Sequence, residues 1–251
     1  MKRIFSLTTL IVAAFFIGTA NITAQEIQLH KDFGSLMDDE LSSRPTVTAT
    51  IQMFKPDKWG STFTFVDLDF QRDGMSGAYW EIAREFNITK NKHWAAHVEY
   101  NGGLSSHEET WQATRFQHAA LAGGAWNWAS GDFSKTLSVQ LMYKYYFKNR
   151  HYQAHAFNSF QLTEVWGMTF AKGLCTFSGF CDLWYNPDVN GKLIFLTEPQ
   201  FWFNMNALKG MKGFNLSLGT EVEMSNNFVW NDNGQNNKFY VIPTLAAKWT
   251  F

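Results

Sequence analysis

The stretch that decides the fold is the end of the chain, Phe239-Tyr240-Val241-Ile242-Pro243-Thr244-Leu245-Ala246-Ala247-Lys248-Trp249-Thr250-Phe251. One alternating set of its positions is apolar: Phe239, Val241, Pro243, Leu245, Ala247, Trp249 and Phe251. The positions between them are mostly polar: Lys238, Tyr240, Thr244, Lys248 and Thr250. Because successive side chains of a β-strand point to opposite faces, the pattern predicts a strand with one apolar face and one polar face.

The same alternation recurs through most of the chain upstream. It predicts twelve strands, at approximately 26–33, 45–54, 61–71, 78–88, 93–103, 111–127, 133–147, 152–166, 173–186, 192–205, 213–225 and 239–251. The connections at one end are tight and several contain Gly or Pro, whereas the other end has longer connections at 34–44, 104–110 and 226–237. Outer-membrane barrels have short periplasmic turns and longer external loops.

The beginning of the chain has the pattern of an export signal. Met1-Lys2-Arg3 is followed by an uncharged run to Ala20 and by small residues up to Ala24. This order predicts a signal peptide over 1–24, cleaved after Ala24, and one domain over 25–251. A membrane anchor is the alternative, since the apolar run is close to the roughly 20 residues that cross a bilayer.

The composition favours a membrane barrel over a soluble domain. The chain has 24 Phe, 11 Trp and 8 Tyr, although its mean hydropathy is only -0.25. In a barrel such rings lie at the two lipid interfaces, and tryptophans do occur near the predicted strand ends: Trp59, Trp80, Trp94, Trp126, Trp128, Trp166, Trp184, Trp230 and Trp249. We therefore expect an all-β fold, a transmembrane antiparallel barrel in the bacterial outer membrane. An exported β-sandwich also alternates and is the competing fold.

The strand periodicity also assigns side chains to the interior of the barrel. The predicted solute-contacting residues are Phe63, Phe65, Asp67, Asp69, Glu81, Glu99, Arg115, Asp182, Glu198, Gln200, Trp202, Glu221 and Glu223. Twelve strands should leave a narrow, water-filled lumen, since about eight strands fill their own interior and sixteen or more leave a wide pore. In this register Arg84 falls on the apolar face, which suggests that its strand is bulged or ends early.

The predicted lumen combines carboxylates with aromatic rings. Phe63, Phe65 and Trp202 could stack on the flat face of a solute while carboxylates and amides accept its protons. Excess carboxylate would repel phosphorylated solutes. A simpler interpretation is that the carboxylates only pair with Arg115, Lys144 and Lys248 and stiffen the wall. Cys175 and Cys181 share the apolar face of one predicted strand, too far apart for a disulfide, and are expected to face lipid.

Several segments resemble those of the Tsx-like nucleoside-specific outer-membrane channels, and more closely a Bacteroidetes branch of that group. The resemblance is carried by 53–63, by Ala78-Tyr79-Trp80-Glu81-Ile82, by 98–103, by Glu198-Pro199-Gln200-Phe201-Trp202 and by 243–251. It implies a twelve-stranded monomeric barrel in membrane lipid, with a narrow pore for nucleosides. It also implies a possible role as a phage receptor. Phe251 resembles the terminal aromatic that the barrel-insertion machinery recognises.

Two other functions are compatible with a barrel of this size. One is an outer-membrane enzyme acting on lipids, for which His118, His155 and Ser159 are the candidates, although no nucleophile motif surrounds them. The other is a closed structural or adhesive barrel that uses 226–237 as a binding surface. With 21 Lys and Arg against 22 Asp and Glu, nothing indicates nucleic acid. We expect no enzyme activity, no cofactor and no metal.

Overall fold

The structure is a computed structural model that describes residues 24–72, 74–107, 112–115, 117–150, 154–189 and 191–251, with the backbone alone at 24, 106, 107 and 112–115. Apart from Ala24, at which the first strand begins, the expected signal peptide lies outside the described residues. The described chain is almost entirely β-sheet. Its strands are β1 Ala24–Asp32, β2 Val47–Pro56, β3 Gly60–Gln71, β4 Gly74–Asn87, β5 Trp94–His107, β6 Gln112–Arg115, β7 Ala119–Ala129, β8 Lys135–Tyr146, β9 Phe157–Phe170, β10 Cys175–Tyr185, β11 Leu193–Thr197, β12 Gln200–Asn204, β13 Leu216–Asn226 and β14 Phe239–Thr250.

The strands form a closed antiparallel barrel of twelve crossings. Closure occurs where β14 pairs with β1, from Glu26 opposite Thr250 to Asp32 opposite Thr244. Two crossings are each made of two short strands. β6 and β7 both pair with β5, while β11 and β12 both pair with β10 and with β13. The prediction of a twelve-stranded barrel is therefore confirmed.

The break between β11 and β12 has a local cause in the sequence. Pro199 has no N–H to donate to the sheet, and the strand is interrupted at Glu198 and Pro199 although its register with β10 and β13 is unchanged. Gly179 of β10 lies against this break, where an added Cβ would come within 2.6 Å of the Glu198 carbonyl oxygen. The break therefore requires glycine on the neighbouring strand. A second irregularity shifts the pairing of β3 with β4 between Asp69 and Phe70.

The outer face of the barrel is apolar and exposed. Leu141 is 64% exposed and Leu245 is 63% exposed, and both alternate with buried inward residues. A sandwich would bury such a face in a dry core, whereas hydrocarbon solvates it. Arg84 lies on this outer face, and the prediction of a bulge there is wrong because the pairing of β4 is regular around it. Its guanidinium instead reaches Asp57 at the turn end, 2.8 Å away.

The two ends of the barrel differ mostly as the sequence predicts. The turn end has the short connections 57–59, 88–93, 130–134 and 171–174, whereas the loop end includes the longer segments 33–46 and 227–238. The prediction of a tight connection near 210–213 is wrong, because β12 ends at Asn204 and β13 begins only at Leu216. The loop predicted at 104–110 is instead partly sheet, because β5 continues to His107. Short helices occur in the connections: α1 Gly34–Met37 and three 3-10 turns, Asp39–Leu41, Ala171–Gly173 and Met205–Ala207.

None of the helices in the described ranges is long and apolar enough to cross a membrane.

Cys175 and Cys181 are on β10, and both thiols are free. Their strand neighbours Thr176 and Asp182 face the interior, so the two cysteines face outward as predicted. Tryptophans at the turn end, such as Trp59, Trp94 and Trp128, are exposed as an interfacial girdle requires. The prediction is wrong for Trp184, which faces inward and is buried.

Candidate functional site

The lumen is the candidate site, and the strand register places all the predicted solute-contacting residues except Arg115 on its surface. Those residues are Phe63, Phe65, Asp67, Asp69, Glu81, Glu99, Asp182, Glu198, Gln200, Trp202, Glu221 and Glu223. Arg115 pairs through its backbone with Leu104 near the loop end, and its side chain lies outside the described residues. Whether the placed residues contact a solute stays a prediction.

One wall, formed by β2, β3 and β4, presents rings and carboxylates that are only half-buried. We call it the open wall. Phe65 contacts Phe63 at a ring-centroid distance of 5.8 Å and Tyr79 at 5.9 Å. Farther towards the loop end, Thr50 donates to Asp67 at 2.5 Å and Thr48 donates to Asp69 at 2.7 Å. Short cross-strand hydroxyls thus hold both carboxylates along the wall.

The open wall continues into a polar ladder on β4, β5 and β7. The Tyr79 hydroxyl donates to Glu81 at 2.6 Å. The ring of His97 lies between two carboxylates, 3.3 Å from Glu85 and 3.1 Å from Glu99. The amides of Asn127 and Asn101 donate to the same two glutamates. This ladder contains hydrogen-bonded acids and amides from one end of the strands to the other.

The wall formed by β8, β9 and β10 contains one buried cation, Lys144. Its ammonium donates to Gln161 at 2.7 Å and lies 5.0 Å from the ring centroid of Tyr146 and 5.1 Å from that of Trp184. The Gln161 amide donates to Thr163, whose hydroxyl donates to Asp182 at 2.5 Å. Aromatic rings therefore cover the charge of this lysine on two sides.

A further wall, formed by β12, β13, β14 and β1, is tightly packed, and we call it the packed wall. Trp202 at its centre is 0% exposed. Its ring lies over Gly219, where an added Cβ would come within 2.6 Å of it. Lys248 covers the ring at 4.4 Å from its centroid. His30 touches it edge-on at 6.0 Å.

The burial of Trp202 changes its expected role. The indole N–H donates to Gln200 at 3.0 Å, and the Gln200 amide donates to Glu221 at 2.5 Å. Both faces of the ring are already in contact with protein, so the expectation that Trp202 stacks on a solute is wrong for this conformation. The rings that remain accessible in the lumen include Phe63 and Phe65.

The carboxylates of the lumen are held mainly by neutral donors. Asp67, Asp69 and Asp182 accept from threonine, Glu81 from tyrosine and Glu221 from glutamine. Among the described residues, Lys248 does make an ion pair, with Glu26 at 3.5 Å, whereas Lys144 donates to an amide. Pairing with lysine therefore does not account for most of the predicted carboxylates, and their carboxyl groups face the lumen.

The sequence reasoning missed a line of polar residues on β1. Glu26, Gln28 and His30 alternate with Ile27 and Leu29, so the signal was present in the pattern. His30 lies 2.8 Å from the Gln28 amide oxygen, and the Gln28 amide donates to Glu26 at 2.7 Å. The Gln52 amide of β2 also donates to Glu26, so this line joins the packed wall to β2.

Two apolar clusters narrow the lumen near the loop end, which the expectation of a water-filled, acid-rich lumen did not include. The larger is formed by Ala119, Leu121, Met142, Tyr146, Trp184, Ile194 and Leu196. The smaller is formed by Leu41, Val229, Tyr240 and Ile242. These residues lie at inward positions of their strands or in loops over them. Carboxylates lie at the same level as these clusters, since Asp182 pairs with Leu196 and Glu223 pairs with Ile242.

The residues considered for lipid hydrolysis are not assembled into a catalytic group. The Ser159 hydroxyl donates to the Tyr185 carbonyl oxygen. The Nδ1 atom of His118 is hydrogen-bonded to the Tyr100 hydroxyl. The carbonyl of His155 accepts from Gln117 at 2.8 Å. Within the described ranges, no three His, Cys, Asp or Glu residues are grouped so as to hold a metal ion.

Comparison with known proteins identifies the family of the chain and finds solved structures with a similar fold. Residues 24–251 match the family model of a domain of unknown function, DUF5020, and the chain belongs to that family. Comparison with curated protein sequences finds no match.

Similar solved structures are outer-membrane barrels. The NanC porin superposes with a TM-score of 0.56 at 9% identity, over 91% of this chain and 100% of that one. The KdgM porin gives a TM-score of 0.49 at 8% identity, over 91% and 99% of the two chains. LpxR from Salmonella typhimurium gives 0.46 at 6% identity, over 91% and 100%. At such low identity the likeness to NanC concerns the fold, which is the barrel of an outer-membrane porin.

Proposed function

We propose that this member of the DUF5020 family is a passive channel of the bacterial outer membrane. Small solutes pass through its narrow, acidic, ring-lined lumen, and nucleosides are the solute class. The barrel provides the path, since its inward side chains are polar over most of its length while its outward side chains are apolar. The solute class rests on the chemistry of the open wall and on the resemblance to nucleoside channels.

The observation that carries the proposal is the different surroundings of the two signs of charge. Lys144 is buried against two aromatic rings, and Lys248 lies over the ring of Trp202 with its side chain 11% exposed. Asp67, Asp69 and Glu81 are half-buried and are held by neutral hydroxyls. A solute in the lumen therefore meets carboxylates in preference to ammonium groups. A phosphate would be repelled there, whereas a neutral or cationic solute would not.

The open wall also has the groups that a nucleoside needs. Phe63 and Phe65 offer ring surface to a base, and such stacking is worth about 1–3 kcal/mol per base. The adjacent carboxylates of Asp67 and Asp69 can accept hydrogen bonds from ribose hydroxyls or from amino groups of the base. Binding at each point remains weak, which a channel requires because the solute must also leave.

Conductance across planar lipid bilayers tests the channel. We expect discrete steps from the purified protein and a reversal potential, measured in a salt gradient, that shows a preference for cations. Glu221→Gln should reduce that preference. Glu164→Gln, which changes an exposed carboxylate on the outer face of β9, is the matched control and should leave it unchanged. Absence of steps above leak would overturn the channel.

Liposome swelling with a panel of solutes tests the nucleoside assignment. We expect adenosine and thymidine to enter, the corresponding monophosphates to be excluded, and both nucleosides to reduce single-channel current in a saturable way. If sugars or small peptides reduce the current and nucleosides do not, the solute class is wrong while the pore stands. A monomeric barrel inserted through recognition of Phe251 is part of the same proposal, and mass measurement in detergent tests the monomer.

A further inference from the structure

The connection 33–46 between β1 and β2, which we call the inward loop, lies inside the mouth of the barrel. Leu41 in this loop is 2% exposed and packs with Tyr240 and Ile242 of β14. Their neighbours on that strand, Phe239 and Val241, are exposed on the outer face. Tyr240 and Ile242 therefore face the lumen, and a loop that packs on them must enter the mouth.

Arg44 fastens the returning end of the inward loop to the lumen wall. Its guanidinium donates to Asp32 at 2.9 Å and also contacts Glu223. Asp32 is on β1 and Glu223 is on β13, so the guanidinium spans the strand β14 that lies between them. Asp32 also accepts from the backbone N–H of Gly34 at 2.6 Å. Both ends of the inward loop are thus joined through one carboxylate.

The second long connection, 227–238, which we call the outer loop, holds the inward loop in place. The Asp232 carboxylate accepts hydrogen bonds from the backbone N–H and hydroxyl groups of both Ser42 and Ser43. The Asp232 backbone N–H donates to the Glu40 carbonyl oxygen at 2.8 Å. The Glu40 carboxylate is bound by Lys238. These contacts make the two loops one unit.

The outer loop also reaches the neighbouring part of the mouth. Phe228 touches the ring of Trp184 edge-on, at a centroid distance of 5.8 Å. Trp184 belongs to the larger apolar cluster on the inner face of β7, β8, β10 and β11. Val229, which follows Phe228, packs with Leu41. A continuous line of side chains therefore follows the mouth from β10, past β11 and β13, to β14.

We propose that the inward loop and the outer loop form a fixed constriction in the mouth of the barrel, and that Arg44 is the residue that clamps it. This constriction, and not the width of the lumen below it, sets the largest solute that passes. The inference rests on the proposed channel function, because a size limit has meaning only for a conducting pore. The inference assigns to Arg44, a residue of the inward loop, a role in determining which solutes the channel admits.

The test uses the full-length protein in lipid bilayers and in liposomes. Arg44→Met removes the clamp while keeping a side chain of similar length. We expect several-fold larger single-channel conductance and liposome swelling with oligosaccharides that the unaltered protein excludes. The matched control is Arg84→Met, which removes another arginine paired with an aspartate, on the outer face at the opposite end. This control should leave conductance and the size limit unchanged.

Asp232→Asn gives a second variant that alters an exposed contact between the loops, so its barrel should fold even if that of Arg44→Met does not. Folding is checked by the difference in electrophoretic mobility between heated and unheated samples. If the unaltered protein conducts and neither folded variant differs from it, the constriction is wrong while the channel stands. If the unaltered protein is silent and the variants conduct, the loops close the mouth completely, and both the channel function and the size limit that rests on it are overturned. If no form conducts, both proposals are overturned.

Discussion

The packed wall and the open wall of the lumen use the same kinds of residue with opposite results. On the packed wall, one face of the Trp202 ring lies on Gly219, Lys248 covers the ring and His30 touches it edge-on. The ring is therefore inaccessible to a solute. On the open wall, Phe65 packs with Phe63 and Tyr79 and is half-buried, and carboxylates lie beside it. The comparison indicates that the neighbours which cover a ring decide whether one of its faces stays open to the lumen.

The largest effect that separates the two walls should come from Trp202→Ala. Removing a fully buried ring leaves a cavity, and such truncations cost about 3–5 kcal/mol. We expect the free energy of unfolding in lipid vesicles, measured by urea titration, to fall by that amount. Trp59→Ala, at an exposed turn position, is the control and should change it little. A small loss with Trp202→Ala, together with weaker nucleoside block, would restore the ring as a solute platform.

Phe65→Ala should have the converse effect on the open wall. Loss of one stacking contact worth about 1.4 kcal/mol would raise the nucleoside concentration for half-maximal block about tenfold. The half-buried position should make the loss of stability smaller than that of Trp202→Ala. Phe160→Ala, on the outer face of β9, is the control for ring removal. If Phe65→Ala and Phe160→Ala weaken the nucleoside block equally, the weakening comes from a change in the whole barrel and not from a lost stacking contact.

Lys248→Ala should expose part of the packed wall to solutes in the lumen. Without the ammonium group, one face of Trp202 becomes accessible to a base. We expect nucleosides to block the current several-fold more tightly, at a cost in stability of about 1–2 kcal/mol from the lost cation–π contact and ion pair. The block constant is again measured on single channels. Unchanged block would mean that neighbouring side chains close over the ring.

The alternation of apolar and polar residues was enough to assign most of the site residues to the lumen. The bilayer enforces this alternation, because a charged side chain that faces lipid is costly. Asp67, Asp69, Glu221 and Glu223 were assigned to the lumen from parity alone, and the register confirms that placement. Glu26 could have been assigned in the same way, since β1 alternates as clearly as the other strands. The strand rule gives the face on which a side chain lies.

The alternation along a strand does not show which other side chains cover a residue in the lumen. Trp202 and Phe65 have the same parity signal, and only the three-dimensional neighbours Gly219 and Lys248 distinguish them. Arg44 has no periodic signal at all, because it is in a connection whose path depends on distant partners on β1 and β13. The break at Pro199 was readable as a missing donor, but its requirement for Gly179 on the neighbouring strand was not.

The smallest expected effect is that of low pH on conductance. It is confined to the mouth of the barrel, because the carboxylates that join the two loops lie outside the membrane-spanning strands. The hydrogen bond from Lys238 lowers the pKa of Glu40 below its ordinary value of 4.5. The hydrogen bonds from Ser42 and Ser43 lower the pKa of Asp232 below its ordinary value of 3.8. A carboxyl with a depressed pKa contributes stability above its unfolded value and loses it as pH falls through the folded value.

The difference in conductance between the unaltered protein and the variant that lacks both carboxylates should therefore stay constant from about pH 8 to about pH 5 and disappear only in stronger acid, when Glu40 and Asp232 become protonated. The measurement is single-channel conductance as a function of pH. The variant that combines Glu40→Gln with Asp232→Asn should show the acid value of the unaltered protein already at neutral pH. A rise near about pH 6.5, well above the ordinary range of a carboxyl group, would contradict this assignment. The titrating group would then lie outside the two loops, and the walls would control the opening that we assign to the loops.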